Sequence, residues 1–259
     1  MNGYSYDNLQ IREIFHIEFL RNLTGKIRPS CYALKGGGNM RLFFGSVRYS
    51  EDMDMDVNTI PVNVLRDTVM KIVTSPRFQN ELKPFGIERI LPPDIGKAKQ
   101  TGTTQRFKIH VLTHRGEDLF TKIEFSRRQS YGNAVVYPVP EKVLRRYGIP
   151  PLIVSHYDAE TTVMQKINAL VNRKTVQARD VFDLYTLSAH ILPSGYGKAK
   201  IEPAVLKTAG ENIFSVSFRQ FRDTVLEYLA KEDRMVYENE GLWDEIKLKV
   251  SEFICGNHR

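Results

Sequence analysis

Cysteine is nearly absent from this chain: its 259 residues hold two, Cys31 and Cys255, near opposite ends. Two distant thiols make neither a disulfide framework nor a clustered zinc site, so both read as reduced and structural. Apolar runs are short as well, and none approaches the roughly 20 residues that a membrane-spanning helix requires. The opening MNGYSYDNLQIREIF carries neither a basic leader nor an apolar signal core, so a cytoplasmic location is the expectation. Internal repeats and low-complexity tracts are missing too. What remains is a hydrophobic content of 42%, enough for one large domain or two modest ones with a genuine core.

Charge is unevenly spread. The formal net charge is +7, and the segment from Lys97 to Arg146 alone carries eleven Lys or Arg against four Asp or Glu, so the rest of the chain is neutral on balance. Such a segment is either the solvated face of a basic protein or a footprint for a polyanion such as RNA, for which clustered cations supply most of the affinity.

Hydrophobic spacing predicts an N-terminal helix over 7–22, a short strand at Tyr32–Leu34, and a glycine turn leading into a helix with Met40, Leu42, Phe43 and Phe44. A strand over Ser50–Val57 and a helix opened by Pro61 and running to about Thr74 follow. Extended segments are then expected at Ile87–Leu91, Arg106–Leu112, Phe120–Phe125 and Asn133–Tyr137, with a mobile loop over Gly96–Thr104. From about Asp158 the pattern is helical, clearest at Val163–Arg173, Ala178–Ile191, Phe218–Glu232 and Leu242–Ile254. With a transition near Pro150-Pro151, the expected class is α/β or α+β: a mixed-sheet domain over 1–150, then a mostly helical domain over 151–259 whose first helices close over the active edge of the sheet.

Chemistry concentrates in LKGGGNMRLFFGSVRYSEDMDMDV, Leu34 to Val57. Side chains two apart on a strand share a face, so Asp52 and Asp54 repel one another by roughly 4 kcal/mol at about 4 Å and an effective dielectric near 20. A divalent cation reverses that sign, and Mg²⁺ takes one or two protein carboxylates while water and phosphate fill its other positions. Gly36 and Gly37 ahead of a helix let backbone N–H groups approach phosphate oxygens. Arg48 and Ser50 lie between the two elements. Asp56 continues the alternation and is read as solvent-facing or salt-bridged, with Asp52 and Asp54 preferred as metal ligands.

Two further places bear on the same chemistry. Glu124, within Lys122-Ile-Glu-Phe-Ser126, either completes the metal site or accepts a proton, or else pairs with an arginine such as Arg106 or Arg127. In KINALVNRKTVQARDVFDLYTL, Lys166 to Leu187, the helical spacing fits a salt-bridged hairpin. The alternative is a Lys166 that binds triphosphate while Asp180 or Asp183 orients it or assists proton transfer.

These two blocks, in this order, resemble the signatures of the AbiEii/AbiGii toxin family of bacterial abortive-infection and toxin–antitoxin systems. The family's glycine pair falls on Gly36 and Gly37, its Arg-x-Ser-x-Asp-x-Asp on Arg48, Ser50, Asp52 and Asp54, and its later Lys and Arg-Asp-x-x-Asp on Lys166, Arg179, Asp180 and Asp183. Gly38 departs from the small hydroxyl residue of many relatives. The resemblance implies a nucleotidyltransferase fold, Mg²⁺ or Mn²⁺, a nucleoside triphosphate donor and an antitoxin from a neighbouring gene. It also implies an acceptor that in some relatives is the 3′ end of tRNA. Asp52 and Asp54 would then hold the metal, Gly36, Gly37, Arg48, Ser50 and Lys166 the nucleotide, with Glu124 or Asp180 as base. A metal-dependent phosphohydrolase or nuclease and a nucleotide-binding module without turnover are the alternatives.

Overall fold

The computed structural model describes residues 6–127, 132–191 and 201–255. Arg128, counted above in the basic segment, and the first five residues of the opening stretch lie outside the described residues. The chain divides into two compact units, one of Met1–Phe43 with Tyr49–Tyr157, the other of Phe44–Arg48 with Asp158–Arg259.

The first unit is a seven-stranded mixed sheet with helices. Its strands are β1 (Tyr32–Lys35), β2 (Met53–Val57), β3 (Ile87–Leu91), β4 (Thr104–Thr113), β5 (Asp118–Ser126), β6 (Ala134–Pro138) and β7 (Ile153–Tyr157), in the spatial order β3-β4-β5-β2-β1-β7-β6. β1 runs antiparallel to β2 and parallel to β7, while β2 runs parallel to β5. Odd-numbered residues of β4 and β5, including Phe107, Ile109, Val111, Ile123 and Phe125, are buried in the core, and even-numbered ones face the other way. That alternation is the period-two signature of a sheet with one buried face.

Among the described residues, five α-helices belong to this unit: α1 (Asn8–Thr24), α2 (Gly36–Phe43), α3 (Val62–Val73), α4 (Pro76–Leu82) and α5 (Glu141–Arg145). An Asp7–Gln10 capping box starts α1. Its burial extends beyond one apolar stripe, because Glu13, His16 and Glu18 are buried along with Ile14, Phe15 and Leu20. Each polar group has a partner: Glu13 accepts from Arg41 and from the Tyr147 hydroxyl, His16 bonds Thr121, and Glu18 pairs with Arg21.

The second unit contains α6 (Ala159–Asn172), α7 (Ala178–Ser188), α8 (Pro203–Phe214), α9 (Phe218–Thr224), α10 (Lys231–Tyr237) and α11 (Glu240–Cys255). Phe182, Phe221 and Trp243 form its aromatic centre, with Phe221 stacked on Trp243 at 4.2 Å between centroids. The indole N–H of Trp243 donates to the Val216 carbonyl at 3.2 Å. Among the described residues no helix is long and apolar enough to cross a membrane.

Several expectations need correction. The strand expected from Ser50 begins at Met53, because the Ser50 hydroxyl donates to the Asp52 carbonyl at 2.7 Å and holds a turn there. Hydrophobic spacing does not announce α4, α5, α8 or β7, although Ser75 caps α4 ahead of Pro76 in the ordinary way. The single helix expected over Phe218–Glu232 is broken: α9 ends at Thr224, a short 3₁₀ turn spans Leu226–Tyr228, and Leu229 is extended before α10.

Candidate active site

β1 delivers the chain into α2 through Gly36, whose φ of +65° lies in the left-handed region that a side chain disfavours. A Cβ on Gly36 would meet the Asp54 carboxylate oxygen Oδ2 at 3.0 Å, so the missing side chain is what lets Asp54 lie against the start of α2. β2 places Asp54 opposite Lys35 of β1 on one side and opposite Glu124 of β5 on the other.

Asp52 sits in the turn ahead of β2. Its carboxylate accepts from the Lys122 backbone N–H at 3.0 Å and pairs with the Lys122 ammonium at 2.8 Å. Glu124 pairs with Arg106, one of the two arginines anticipated for it. Asp56 is salt-bridged to Lys35 and accepts from the Tyr157 hydroxyl at 2.9 Å; it is buried, which removes the solvent-facing alternative. Asp54 differs from all three. Among the described residues its carboxylate makes no hydrogen bond and no ion pair.

Electrostatics follow from that arrangement. Burial, then the charges of Asp52 and Glu124, push the Asp54 carboxyl above the usual range, against the opposing pull of Lys122 and Lys35. Burial works against the Lys122 charge, yet its hydrogen bond to Asp52 and the Asp52, Asp54 and Glu124 carboxylates outweigh that and hold its ammonium above the ordinary lysine value. Sequence reasoning misses Lys122 as a site residue. Its position two residues before Glu124, hence on the same face, is the signal that could have found it.

The residues fit a divalent cation of the Mg²⁺ type. Among the described residues no group of three or more His, Cys, Asp or Glu side chains would enclose an ion. An ion that takes only one or two carboxylates needs no such cage, and a partnerless carboxylate held high by burial and by neighbouring negative charge is what it would relieve.

The later motif forms a separate buried network within the second unit. Lys166 pairs with Asp180 at 2.9 Å and with Asp183 at 2.6 Å. Arg48, which the resemblance assigns to the nucleotide, donates instead to both oxygens of Asp183 at 3.1 Å, while Arg173 lies 3.2 Å from Asp180. Burial opposes charge on Lys166, but Asp183 and Asp180 override it and raise its pKa. Burial likewise pulls Asp183 upward, and Arg48 and Lys166 together hold it below the usual carboxylate value. These are ion pairs of the salt-bridged hairpin, and two of the three Lys166 donors are committed to them.

A glycine-opened helix after a strand, with carboxylates on the two adjoining strands, defines a protein with a nucleotidyltransferase-like centre. The family profile described as nucleotidyl transferase AbiEii toxin, type IV toxin–antitoxin system, matches residues 18–243, and the chain belongs to that family. It is therefore a nucleotidyltransferase of the toxin type, and the family implies an antitoxin partner. Solved structures agree on the fold. MenT4, a nucleotidyltransferase toxin from Mycobacterium tuberculosis H37Rv, superposes with a TM-score of 0.66 at 16% identity, over 95% of this chain and 84% of that one. A nucleotidyltransferase-like structure from H. pylori, itself described as putative, has a TM-score of 0.55 at 20% identity over 96% of this chain and 98% of that one. JHP933 from Helicobacter pylori has a TM-score of 0.55 at 19% identity, covering 96% of each chain. No curated protein sequence matches.

Proposed function

We propose that this chain transfers a nucleotide from a nucleoside triphosphate to an RNA acceptor, the 3′ end of tRNA, with the help of a divalent metal. The observation that carries the reading is the partnerless Asp54 carboxylate, raised by burial and by Asp52 and Glu124, lying against the glycine start of α2. Asp52 and Asp54 are the residues that would hold Mg²⁺, which when bound supplies charge neutralisation for the triphosphate and the departing pyrophosphate. Backbone N–H groups at Gly36 and Gly37 would hold phosphate oxygens, with the partial positive charge of the α2 N-terminus behind them.

The acceptor hydroxyl oxygen bonds to the α-phosphorus as the bond to pyrophosphate breaks. Its proton passes to a carboxylate, and Glu124 suits that role better than Asp180. Glu124 is partly accessible and adjoins Asp54, whereas Asp180 is fully buried and held by Lys166 and Arg173. Arg106 keeps Glu124 oriented, and Lys122 holds Asp52 in place as its counter-charge.

Incubation with each α-labelled nucleoside triphosphate, Mg²⁺ and total tRNA tests the reading. Label should appear on tRNA and disappear with chelator or with Asp54→Asn. Label on a small molecule or protein would refute the acceptor, and no transfer to any acceptor would refute the chemistry.

A further inference from the structure

We infer that the open face of β3, β4 and β5 is the docking surface for a single-stranded RNA whose end reaches the Asp54–Glu124 carboxylates. The inference rests on the proposed RNA-modifying activity and adds the place where the acceptor lies. Four rows of side chains cross this face. In the first, Arg106 stands opposite Glu124, which in turn adjoins Asp54. In the second, Lys108 stands opposite Lys122. His110 and Phe120 make the third, their rings edge to face at 5.6 Å, and Leu112 with Arg89 of β3 begins the fourth.

Four observations point to a strand of phosphates with exposed bases. Lys108 and Lys122 are directly opposed like charges, an arrangement that costs stability unless an anion lies over it. The Lys122 ammonium has Asp52, but the Lys108 side chain is exposed and, among the described residues, makes neither hydrogen bond nor ion pair; the same holds for the Arg89 side chain. The acids of the face, Glu124 and Asp118, are already engaged by Arg106 and His110. Finally, Phe120 is 37% exposed beside the His110 ring, an aromatic platform in the middle of a cationic field.

Distance fits as well. Glu124 and Phe120 are four residues apart on β5, about 13 Å at strand rise, so a strand entering at the carboxylates passes Lys122 and Lys108 before its bases reach the aromatic pair. A duplex keeps its bases stacked inside and cannot use that platform; an unpaired end can.

The test is fluorescence anisotropy of a labelled single-stranded oligoribonucleotide titrated with the full chain at several KCl concentrations. Wild type should bind with an affinity that falls linearly with salt on logarithmic axes. Lys108→Ala should reduce the steepness by about 0.7, the share of one phosphate that the lysine neutralises, and Lys108→Glu should weaken binding further. Phe120→Ala should weaken binding about tenfold with the slope unchanged. Unlabelled duplex RNA should compete poorly. Thermal midpoints should stay at or above wild type in the two Lys108 variants, which relieve the opposed like charges, and near it in Phe120→Ala, and the stabilisation by nucleoside triphosphate should match wild type in all three, which separates docking from folding and from the nucleotide site.

If the variants bind like wild type, the face serves some other anion, an acidic protein surface among them, and the inference is overturned. Unchanged KM for tRNA in Lys108→Glu and Phe120→Ala would also overturn it while leaving the transfer chemistry intact. Wild-type binding that depends on Lys108 and Phe120, with no transfer to any RNA, would uphold the docking face and overturn the proposed reaction.

Discussion

Gly36 and Asp54 are fitted to one another: at φ +65°, a Cβ on Gly36 would lie 3.0 Å from Oδ2 of Asp54. The turn that admits phosphate and the carboxylate that would meet the metal thus share one constraint. Gly36→Ala therefore carries two penalties. The left-handed backbone costs about 1–2 kcal/mol in an L-residue, and the new methyl displaces the Asp54 carboxylate. A lowered thermal midpoint together with at least a tenfold loss of transfer is expected. Gly38 lies within α2, and a Cβ there meets Leu34 at an ordinary 3.4 Å, so Gly38→Ala should instead raise stability by up to about 1 kcal/mol. Equal midpoints for the two variants in a melting experiment would contradict this.

Asp54 and Asp56, two apart on β2, should respond in opposite ways. Asp56 satisfies Lys35 and Tyr157, so Asp56→Asn leaves a lysine without its counter-charge and should cost about 2 kcal/mol in urea unfolding. Asp54 makes no such bonds and is pushed toward its neutral form by burial and by Asp52 and Glu124. Asp54→Asn should leave stability unchanged or raise it, while abolishing transfer. A large stability loss in Asp54→Asn would mean that the carboxylate is structural.

The reach of the sequence can be judged on these same residues. The block from β1 through α2 to β2 is legible because a glycine triplet between an apolar strand and an alternating acidic one is a local pattern, and β4 and β5 are legible through alternation. Alternation also continues through Asp52 and so places it on the strand; the Ser50 hydroxyl bonding the Asp52 carbonyl is a turn that periodicity does not register. β7 lies just after Pro150-Pro151, which reads as a boundary, and it is held as a strand by antiparallel pairing with β6 and by parallel pairing with β1 more than a hundred positions earlier. Partners are the least legible part. Asp52 and Lys122 are 70 positions apart, and Arg48 and Asp183 are 135 apart. Nothing in local spacing ties such pairs together, so the sequence carries no sign that Arg48 bonds α7.

Lys166 tests whether the later motif orders α6 and α7 or serves the nucleotide. Its ammonium is buried between Asp180 and Asp183, and removing one member of a buried ion cluster leaves an uncompensated charge. Lys166→Met should cost about 3–5 kcal/mol in equilibrium unfolding, and Arg48→Met, which strips Asp183 of its other cation, a comparable amount. The double variant should cost less than the sum of the two, because both act on Asp183. If Lys166→Met keeps wild-type stability but loses stabilisation by nucleoside triphosphate, the triphosphate role is the correct one.

His16 should make folding stability fall on mild acidification. Its Nε2 bonds the Thr121 hydroxyl at 2.7 Å, and that hydroxyl donates to the Glu51 carbonyl at 2.8 Å, so the proton of the neutral ring sits on Nε2. Burial, with help from the Arg12 charge, pulls the imidazole down to about 3 from its ordinary 6.5. Because the folded value is the lower one, the unfolded chain takes up a proton below pH 6.5 that the folded chain refuses until about pH 3. Stability contributed at this site is therefore complete above pH 6.5 and declines by up to about 1.4 kcal/mol for each pH unit below it. Between pH 7 and pH 5 that amounts to about 2 kcal/mol. Other groups titrate in the same range, so the measurement is the difference between wild type and His16→Gln, which retains a donor for Thr121 but no titrating ring. Urea unfolding at pH 7 and pH 5 should show the two curves converging or crossing on acidification as wild type loses its advantage. Parallel losses in both proteins would show that His16 is free to protonate in the folded state.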